Sequence, residues 1–200
     1  MNSESKSTNY KAKNKSILRE WIESIIIAFI LAMIIRTFII QAFKIPTGSM
    51  RPTLLEGDLI LVSKFTYGAK IPFTDLSLPA FAQPQRGDVI VFVYPENPKK
   101  DFIKRLAATA GETIEINNGT IYINDHPLID PMFSRRYYYN RGQFAGEGTK
   151  IVVPKDNYFV LGDNSASSQD SRYWGFVPRK NILGKAVLIY WPINRIRIIK

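Results

Sequence analysis

Hydrophobic residues follow two different patterns along the chain, and the change occurs near residue 44. From Ile25 to Ile35 every residue is apolar, and further apolar residues lie on both sides of this run. The segment 21–43 therefore reaches the roughly 20 residues that span a bilayer as a helix. After Lys44, apolar residues occur in short alternating runs separated by turn residues, which is the pattern of β-strands.

The alternating runs predict strands at 58–62, 88–93, 113–116, 120–123, 151–153, 158–161 and 186–190. Asn117-Asn118-Gly119 is a hairpin signal between two of them. Because no long helical periodicity follows the anchor, we expect a mainly β protein. A single N-terminal transmembrane helix would precede a domain of coiled antiparallel sheets, built from 44–112 and 156–200, with a small β insertion at 113–155.

The polar segment 1–20 carries five Lys or Arg residues against two Glu residues. A basic flank of this kind predicts a cytoplasmic N-terminus, with the chain after the anchor on the far, extracytoplasmic face. Arg36 lies near the far end of the anchor, where its side chain can reach the headgroups. A cleaved secretion signal would end in a small-x-small site, and residues 36–41 contain none, so we expect the anchor to be retained.

The net charge of +10 suggests an anionic partner, either a membrane surface or a nucleic acid. Arg135-Arg136-Tyr137-Tyr138-Tyr139 interleaves basic and aromatic residues, as nucleic-acid surfaces do. A segment outside the cytoplasm meets no genome, however. We therefore interpret 127–150 as a solvated loop within the insertion and expect no nucleic-acid partner; the oligomeric state stays open.

The chain has no cysteine and one histidine, His126. This composition excludes disulfides, thiolate nucleophiles and a structural zinc site, which needs four Cys or His ligands. His126 lies between Asn124-Asp125 and Pro127, a context typical of turns, so we interpret it as a turn residue. We expect neither a metal nor a cofactor.

A candidate nucleophile follows the anchor directly. Ser49 lies after Gly48 in a turn bracketed by Pro46 and Pro52, although most such serines only form turns. A serine nucleophile needs a base, and with histidine nearly excluded a lysine is the natural candidate. Lys104 lies in an apolar segment, where burial would lower its pKa from about 10.4 toward neutrality. Spacing alone does not single it out from the other lysines.

Four segments of the chain resemble, in order, the sequence boxes of type I signal peptidases. They are 45–54 around Ser49, 57–68, then 86–92 continuing to 101–105 around Lys104, and finally 162–164 with 168 and 170–178. This resemblance extends over most of the chain from Arg36 to Pro178. It implies a membrane-bound serine endopeptidase that removes N-terminal signal peptides from exported precursors after an Ala-x-Ala site, without metal or cofactor.

The resemblance also implies a role for each matching residue. Ser49 would attack the scissile carbonyl, Lys104 would take its proton, and Ser168 would hydrogen-bond and orient the lysine amine. The Ser49 N–H and the Thr47 hydroxyl would stabilise the oxyanion. Thr47 stands where many members have serine. Residues 165–167 also depart from the family pattern, so Ser165 and Ser167 remain alternatives to Ser168.

Further positions match the family's substrate pockets and its scaffold. Seven apolar residues would line shallow pockets for small side chains, although ordinary core packing explains any one of them equally well: Phe43, Ile45, Met50, Leu54, Ile60, Val91 and Ile103. Four charged residues would form structural pairs near the lysine: Arg105 with Asp163, and Asp170 with Arg172.

Three other functions remain possible from the sequence. A self-cleaving repressor with a Ser-Lys pair has a similar fold, but the anchor and the lack of a preceding DNA-binding domain argue against it. A non-catalytic, membrane-tethered β-domain would leave Ser49 and Lys104 idle. A soluble nucleic-acid binder would use the positive charge, but would not be held by a bilayer. We expect the partners to be precursor proteins and the lipid bilayer.

Overall fold

A computed structural model describes residues 17–69, 71, 74, 76 and 78–200. Most of the predicted cytoplasmic tail, 1–20, lies outside the described residues. The chain divides into two compact units, one that ends at Ile35 and one that begins at Arg36.

The N-terminal unit contains helix α1, Ile17–Ile34, and a π-helical turn, Ile35–Ile39, follows it. The helical stretch Ile17–Ile39 is long and apolar enough to cross a membrane, with a mean hydropathy of 2.3. These bounds differ from the anchor predicted at 21–43. The helix begins earlier, and strand β1, Ile40–Lys44, takes up the last apolar residues. Hydropathy alone could not separate them, because an apolar strand that continues an apolar helix looks the same.

The unit from Arg36 onward consists mainly of antiparallel strands. After β1 come β2 (Leu59–Ser63), β3 (Val89–Val93), β4 (Asp101–Ala108), β5 (Thr113–Asn117), β6 (Thr120–Ile123), β7 (His126–Pro127), β8 (Ile151–Val152), β9 (Asn157–Leu161), β10 (Val177–Pro178), β11 (Ile182–Trp191) and β12 (Arg197–Ile198). Two single-turn helices lie between strands, α2 (Pro131–Ser134) and α3 (Ser171–Trp174).

The larger sheet has the strand order β1-β2-β11-β3-β4-β9-β10, and β12 pairs with β11. Strand β11 is irregular, because its register shifts twice against β2 and once against β3. Such bulges bend a strand and increase its twist. Gly184 lies at one shift, where a Cβ atom would come within 2.4 Å of the Ser63 carbonyl oxygen. This sheet is the coiled part of the predicted fold.

The smaller sheet has the order β7-β6-β5-β8, and all of its strands lie within 113–155. Strands β5 and β6 form a hairpin at the predicted turn, where Asn118 and Gly119 have φ values of 47° and 78°. Asn and Gly tolerate this left-handed conformation better than other residues. The predicted fold class, a mainly antiparallel β protein with one N-terminal apolar helix, is confirmed.

The segment 127–150 is not the solvated loop that its sequence suggested. Phe133 on α2, Tyr138 and Ala145 are buried in one cluster with side chains of β5 and β6. Tyr138 also pairs with the backbone of Gly119. The sequence concealed this because the three residues follow no strand or helix period. Arg135, Tyr137 and Tyr139 of the same segment are exposed.

We expect Phe133→Ala to destabilise the protein by about 3–5 kcal/mol, because it leaves a cavity between α2 and the smaller sheet. Phe133 is 1% exposed, whereas Ile129, four residues earlier, is 81% exposed. Ile129→Ala is therefore the matched control and should change stability by less than about 0.5 kcal/mol. The measurement is urea unfolding of the full chain in detergent. Equal midpoints for the two variants would contradict the described packing.

Candidate active site

Ser49 lies in a tight 3₁₀ turn, Gly48–Met50, between β1 and β2. Backbone hydrogen bonds close the base of this loop, from Ile45 N to the Asp58 oxygen and from Gly57 N to the Ile45 oxygen, both at 2.9 Å. The Asp58 carboxylate accepts two hydrogen bonds from Arg195, at 2.8 and 2.9 Å. The turn is therefore tied to the chain on both sides, and Ser49 has little freedom to move.

A second loop, between β9 and α3, holds the serine turn from the other side. Asn164 donates its backbone N–H to the Ser49 oxygen at 3.0 Å and its side-chain amide to the Gly48 oxygen at 3.1 Å. Gly162 makes this approach possible, since a Cβ atom there would lie 2.6 Å from the Ser49 oxygen and 2.1 Å from Ser168 Oγ. Only glycine fits at this crossing.

Lys104 projects from β4, where its backbone is opposite Ile90 of β3. Its Nζ donates to Ser49 Oγ at 2.7 Å, and the two residues are only 4% and 7% exposed. Burial lowers the pKa of Lys104 to about 8, against the opposing effect of the Asp170 and Asp163 carboxylates. A buried amine with a lowered pKa beside a serine hydroxyl is the arrangement that a Ser-Lys pair requires.

The three candidate orienting serines have different surroundings. Ser165 accepts hydrogen bonds from Arg172 Nη1 at 2.8 Å and from Tyr139 N at 3.0 Å, so its hydroxyl is already engaged. Ser167 lines the cavity at Ser49. Ser168 Oγ is buried, and no described residue forms a hydrogen bond with it. The bond predicted from Ser168 to the Lys104 amine is therefore not formed in the structure.

Two buried ion pairs flank the lysine, and both join residues predicted as pairs. Arg105, the next residue on β4, forms a bidentate pair with Asp163 at 2.8 and 2.7 Å. Arg172 forms another with Asp170, at 2.7 and 2.9 Å. Bidentate pairs fix geometry as well as charge.

These pairs also connect the site to the rest of the domain. Asp170 accepts the Gly162 N–H at 2.9 Å, which ties α3 to the end of β9. Arg172 donates to the backbone oxygens of Ser165 and Ser168, at 2.9 and 3.3 Å, and so fixes the loop that contains Asn164. The charged residues thus hold the loop that in turn holds the serine.

Thr47 precedes the 3₁₀ turn in an extended conformation, with φ −137° and ψ 155°, and its side chain makes no capping hydrogen bond. Ser49 lies in the first turn, where backbone N–H groups have no acceptor within the helix. Thr47 and Ser49 both line the cavity beside Lys104. The hydroxyl and the N–H are therefore candidate donors beside the Ser49–Lys104 contact.

The cavity at Ser49 has a volume of about 240 Å³ and is lined mainly by residues of two segments, 46–49 and 101–104. Of the seven apolar residues predicted to line pockets, only Ile103 lines it. Five of the others are buried in the core of the larger sheet, namely Ile45, Met50, Leu54, Ile60 and Val91, and Phe43 is partly buried against the same cluster. For these six the structure favours core packing, which the sequence left equally possible.

Several residues that line the cavity were given no place in it from the sequence, although Ser167 was named as an alternative orienting serine. Pro46 and Phe102 form apolar walls of the cavity, and Asp101, Ser167 and Gln169 form its polar rim. Phe102 also lies over the amine, with its ring centre 5.4 Å from Lys104 Nζ. Gly162 and Asn164 had a signal, since both belong to a recognised box, but their role depends on a contact between distant segments that spacing does not reveal.

His126 lies away from this chemistry. Its Nδ1 is 2.7 Å from the Asn124 oxygen within its own hairpin, and the side chain is exposed. Within the described part of the chain, no group of three His, Cys, Asp or Glu side chains is arranged to hold a metal ion.

The chain is similar in sequence to known proteins over most of its length. The family model "Signal peptidase, peptidase S26" matches residues 18–191. A signal peptidase I of Leptolyngbya laminosa is 38% identical, over 92% of this chain and 85% of that protein. A signal peptidase I of Aquifex aeolicus is 35% identical, over 87% of this chain and 84% of its own length. The crystal structure of a signal peptidase I from Enterococcus faecalis V583 has 34% sequence identity and a TM-score of 0.43, and covers 52% of this chain and 97% of its own.

The family model matches most of the chain, and the two relatives are more than 30% identical over most of this chain and most of their own length. The family is therefore established. The chain belongs to the signal peptidase family, peptidase S26, and is a serine endopeptidase.

Proposed function

We propose that this chain removes N-terminal signal peptides from exported precursor proteins after an Ala-x-Ala site, with Ser49 as the nucleophile and Lys104 as the general base. One observation supports this assignment above all others. Lys104 Nζ and Ser49 Oγ are 2.7 Å apart and both residues are buried, although 55 positions separate them in the sequence. That distance is within the range in which a base can take a proton from a nucleophile.

The proposed reaction begins with the neutral form of Lys104. Ser49 Oγ forms a bond to the scissile carbonyl carbon while its proton moves to Nζ. The resulting oxyanion accepts hydrogen bonds from the Ser49 N–H and the Thr47 hydroxyl. When the C–N bond breaks, the Lys104 ammonium returns the proton to the leaving amine. An ester between Ser49 and the signal peptide remains.

Hydrolysis of the ester uses the same groups again. Lys104 takes a proton from a water molecule, whose oxygen attacks the ester carbonyl. Collapse of the second tetrahedral intermediate releases the signal peptide as a carboxylic acid and returns the proton to Ser49 Oγ. The mechanism needs only this chain's residues and water.

The cavity beside Ser49 supports a preference for small residues before the cut. Its volume of about 240 Å³ is small, and the apolar side chains of Phe102 and Ile103 form part of its wall. The cavity is partly open, and its apolar walls favour a small apolar side chain over a charged one. Alanine at the cleavage site fits this arrangement.

The location is proposed from the N-terminal apolar helix. We propose a single-pass protein with a cytoplasmic N-terminal tail and with the domain from residue 44 onward on the extracytoplasmic face. The basic residues before the helix and the apolar stretch Ile17–Ile39 support this orientation. The catalytic domain would then comprise 44–112 and 156–200, with 113–155 as an insertion.

We expect Ser49→Ala and Lys104→Met each to reduce cleavage of an Ala-x-Ala precursor by about 10,000-fold or more, because each removes one half of a unit that acts together. Met keeps the bulk of the lysine stem without the amine. The assay uses full-length protein in detergent, and Lys155→Met, an exposed position in the turn before β9, is the matched control. Activity that survives Ser49→Ala would show that the nucleophile is misassigned.

We expect kcat/KM to rise about tenfold per pH unit below pH 8 and to level off above it. The pKa of Lys104 is lowered to about 8, so only about a tenth of the amine is neutral at pH 7. Only the neutral amine can accept the serine proton, so activity must increase with pH. The measurement is a pH profile with a substrate that has no titratable group near the cut. A profile that is flat between pH 6 and pH 9 would contradict the assignment of the base.

The three neighbouring serines can be separated by substitution. We expect Ser168→Ala to lower kcat by about 10- to 100-fold, since its buried, unpartnered hydroxyl is available to orient the lysine when substrate closes the site. Ser165→Ala should chiefly reduce thermal stability, because its hydroxyl bonds to Arg172. Ser167→Ala should have a small effect on both. A larger loss of kcat in Ser167→Ala than in Ser168→Ala would exchange their roles.

A further inference from the structure

The basic and aromatic run at 135–139 has no part in the proposed mechanism. Tyr138 is buried, but Tyr137 is 58% exposed, and Tyr139 and Arg141 are also exposed. The rings of Tyr137 and Tyr139 contact edge to face, with 5.0 Å between their centres. The Arg141 guanidinium lies over the Tyr139 ring at 4.8 Å. Exposed aromatic rings with an arginine stacked on one of them form an ordered surface, not a solvated loop.

This surface forms one wall of a groove. We call it the arginine–tyrosine groove: Arg136, Tyr137 and Tyr139 face Arg51 and Pro52, and residues 163–166 form the floor. Its volume is about 430 Å³. A second depression, of about 380 Å³, shares Pro52 and Arg136 with it and extends toward Arg135.

The groove begins immediately beside the nucleophile. Arg51 and Pro52 follow the serine turn directly, and Asn164 in the floor donates to the Gly48 and Ser49 oxygens. The same floor segment continues to Ser167, which lines the catalytic cavity. The segments 46–52 and 163–169 therefore contribute residues to both the catalytic cavity and the groove.

The arginines of this region are not all neutralised. Arg51 pairs with Glu56 at 2.7 Å, and Arg136 pairs with Asp163 at 3.2 Å. Arg135 and Arg141 form no ion pair with any described carboxylate; Arg141 donates instead to the Ala166 backbone oxygen at 3.2 Å. The region thus has two arginines without a carboxylate partner: Arg135 in the second depression, and Arg141 stacked on Tyr139. Charges arranged in this way favour an anionic ligand.

We propose that the arginine–tyrosine groove binds the part of the precursor that follows the cut, and that it favours acidic side chains there. This inference rests on the proposed function. The small, partly apolar cavity beside Lys104 suits the alanine-rich residues before the cut, so the groove is left for the residues after it. An extended chain advances about 3.3 Å per residue, so only a short stretch of the mature protein is in contact. Arg135 in the adjoining depression and Arg141 stacked on Tyr139 supply the charge, and Tyr137 and Tyr139 supply the contact area.

The test compares three precursors that share one signal peptide and differ only in the first residues after the cut, which are Asp, Asn or Lys. Wild type should cleave the acidic precursor with a kcat/KM about three- to tenfold above the neutral one, and the basic precursor below it. In Arg135→Gln/Arg141→Gln the acidic-to-neutral ratio should fall to about one. The control, Lys155→Gln/Lys180→Gln, removes the same charge outside the groove and should keep the wild-type ratio. In roughly 1 M NaCl the acidic-to-neutral ratio should fall in wild type and in the lysine control, since the Debye length is then about 3 Å.

Binding of the uncut precursors to full-length Ser49→Ala in detergent provides a second readout that does not require cleavage. Tighter binding of the acidic precursor, lost when the two arginines are also changed, supports the inference even if wild type cuts none of the three; that result would overturn only the proposed function.

Equal treatment of the three precursors by wild type would overturn the inference. An acidic preference that persists in Arg135→Gln/Arg141→Gln would also overturn the inference. This includes the case in which that variant cleaves all three precursors more slowly by the same factor. Binding to vesicles with anionic lipid, without discrimination among precursors, would likewise overturn it in favour of a membrane contact.

Discussion

Lys104 Nζ can contact Ser49 Oγ only if the rest of the domain brings two distant strands of the larger sheet together. Ser49 follows β1 and Lys104 lies in β4, and three strands separate these two in the larger sheet. In a flat sheet β1 and β4 would be about 19 Å apart, whereas the two side chains meet at 2.7 Å. The sheet must therefore coil and the serine turn must reach inward. The register shifts of β11, and Gly184 at one of them, supply the bend, and Asn164 and Asp58 hold the turn in place.

The same contact imposes an electrostatic requirement in the proposed mechanism, where the lysine would have to lose its proton to act as a base. Burial lowers the pKa of Lys104, while Asp170 and Asp163 oppose that effect. Both carboxylates are structurally useful, since they fix the loop over the serine, but an unpaired carboxylate would favour the ammonium form. Pairing Asp163 with Arg105 and Asp170 with Arg172 resolves this conflict. Each carboxylate keeps its place beside a cation, and the Arg172 charge also helps to lower the pKa of Lys104.

The sequence pattern predicted individual strands and the hairpin better than the way in which they assemble around Ser49 and Lys104. Alternation located most strands, because a half-buried strand must alternate, and Asn118-Gly119 located the hairpin through the conformation it needs. The boundary at Ile40 was missed because apolar strand and apolar helix share one composition. Local context made Ser49 and Lys104 candidates, but their selection as a pair came from resemblance to a family, since no spacing rule joins residues 55 positions apart. The apolar residues near Ser49 could not be sorted into pocket and core, because that depends on which side of a coiled strand faces the cavity.

The buried amine also shows why this site needs so much support. Its pKa is lowered from 10.5 to about 8 in the folded chain, so the unfolded chain binds more protons between these values. The contribution of this lysine to stability therefore improves as pH rises through that window and is least favourable below it, where the protein must bury a charge. Ser168 adds a buried hydroxyl without a partner. Both features oppose folding, and both leave a buried polar group available for the roles proposed for Lys104 and Ser168. Three features nevertheless keep these groups in place: the bidentate ion pairs, the hydrogen bonds on both sides of the serine turn, and the close approach that Gly162 allows.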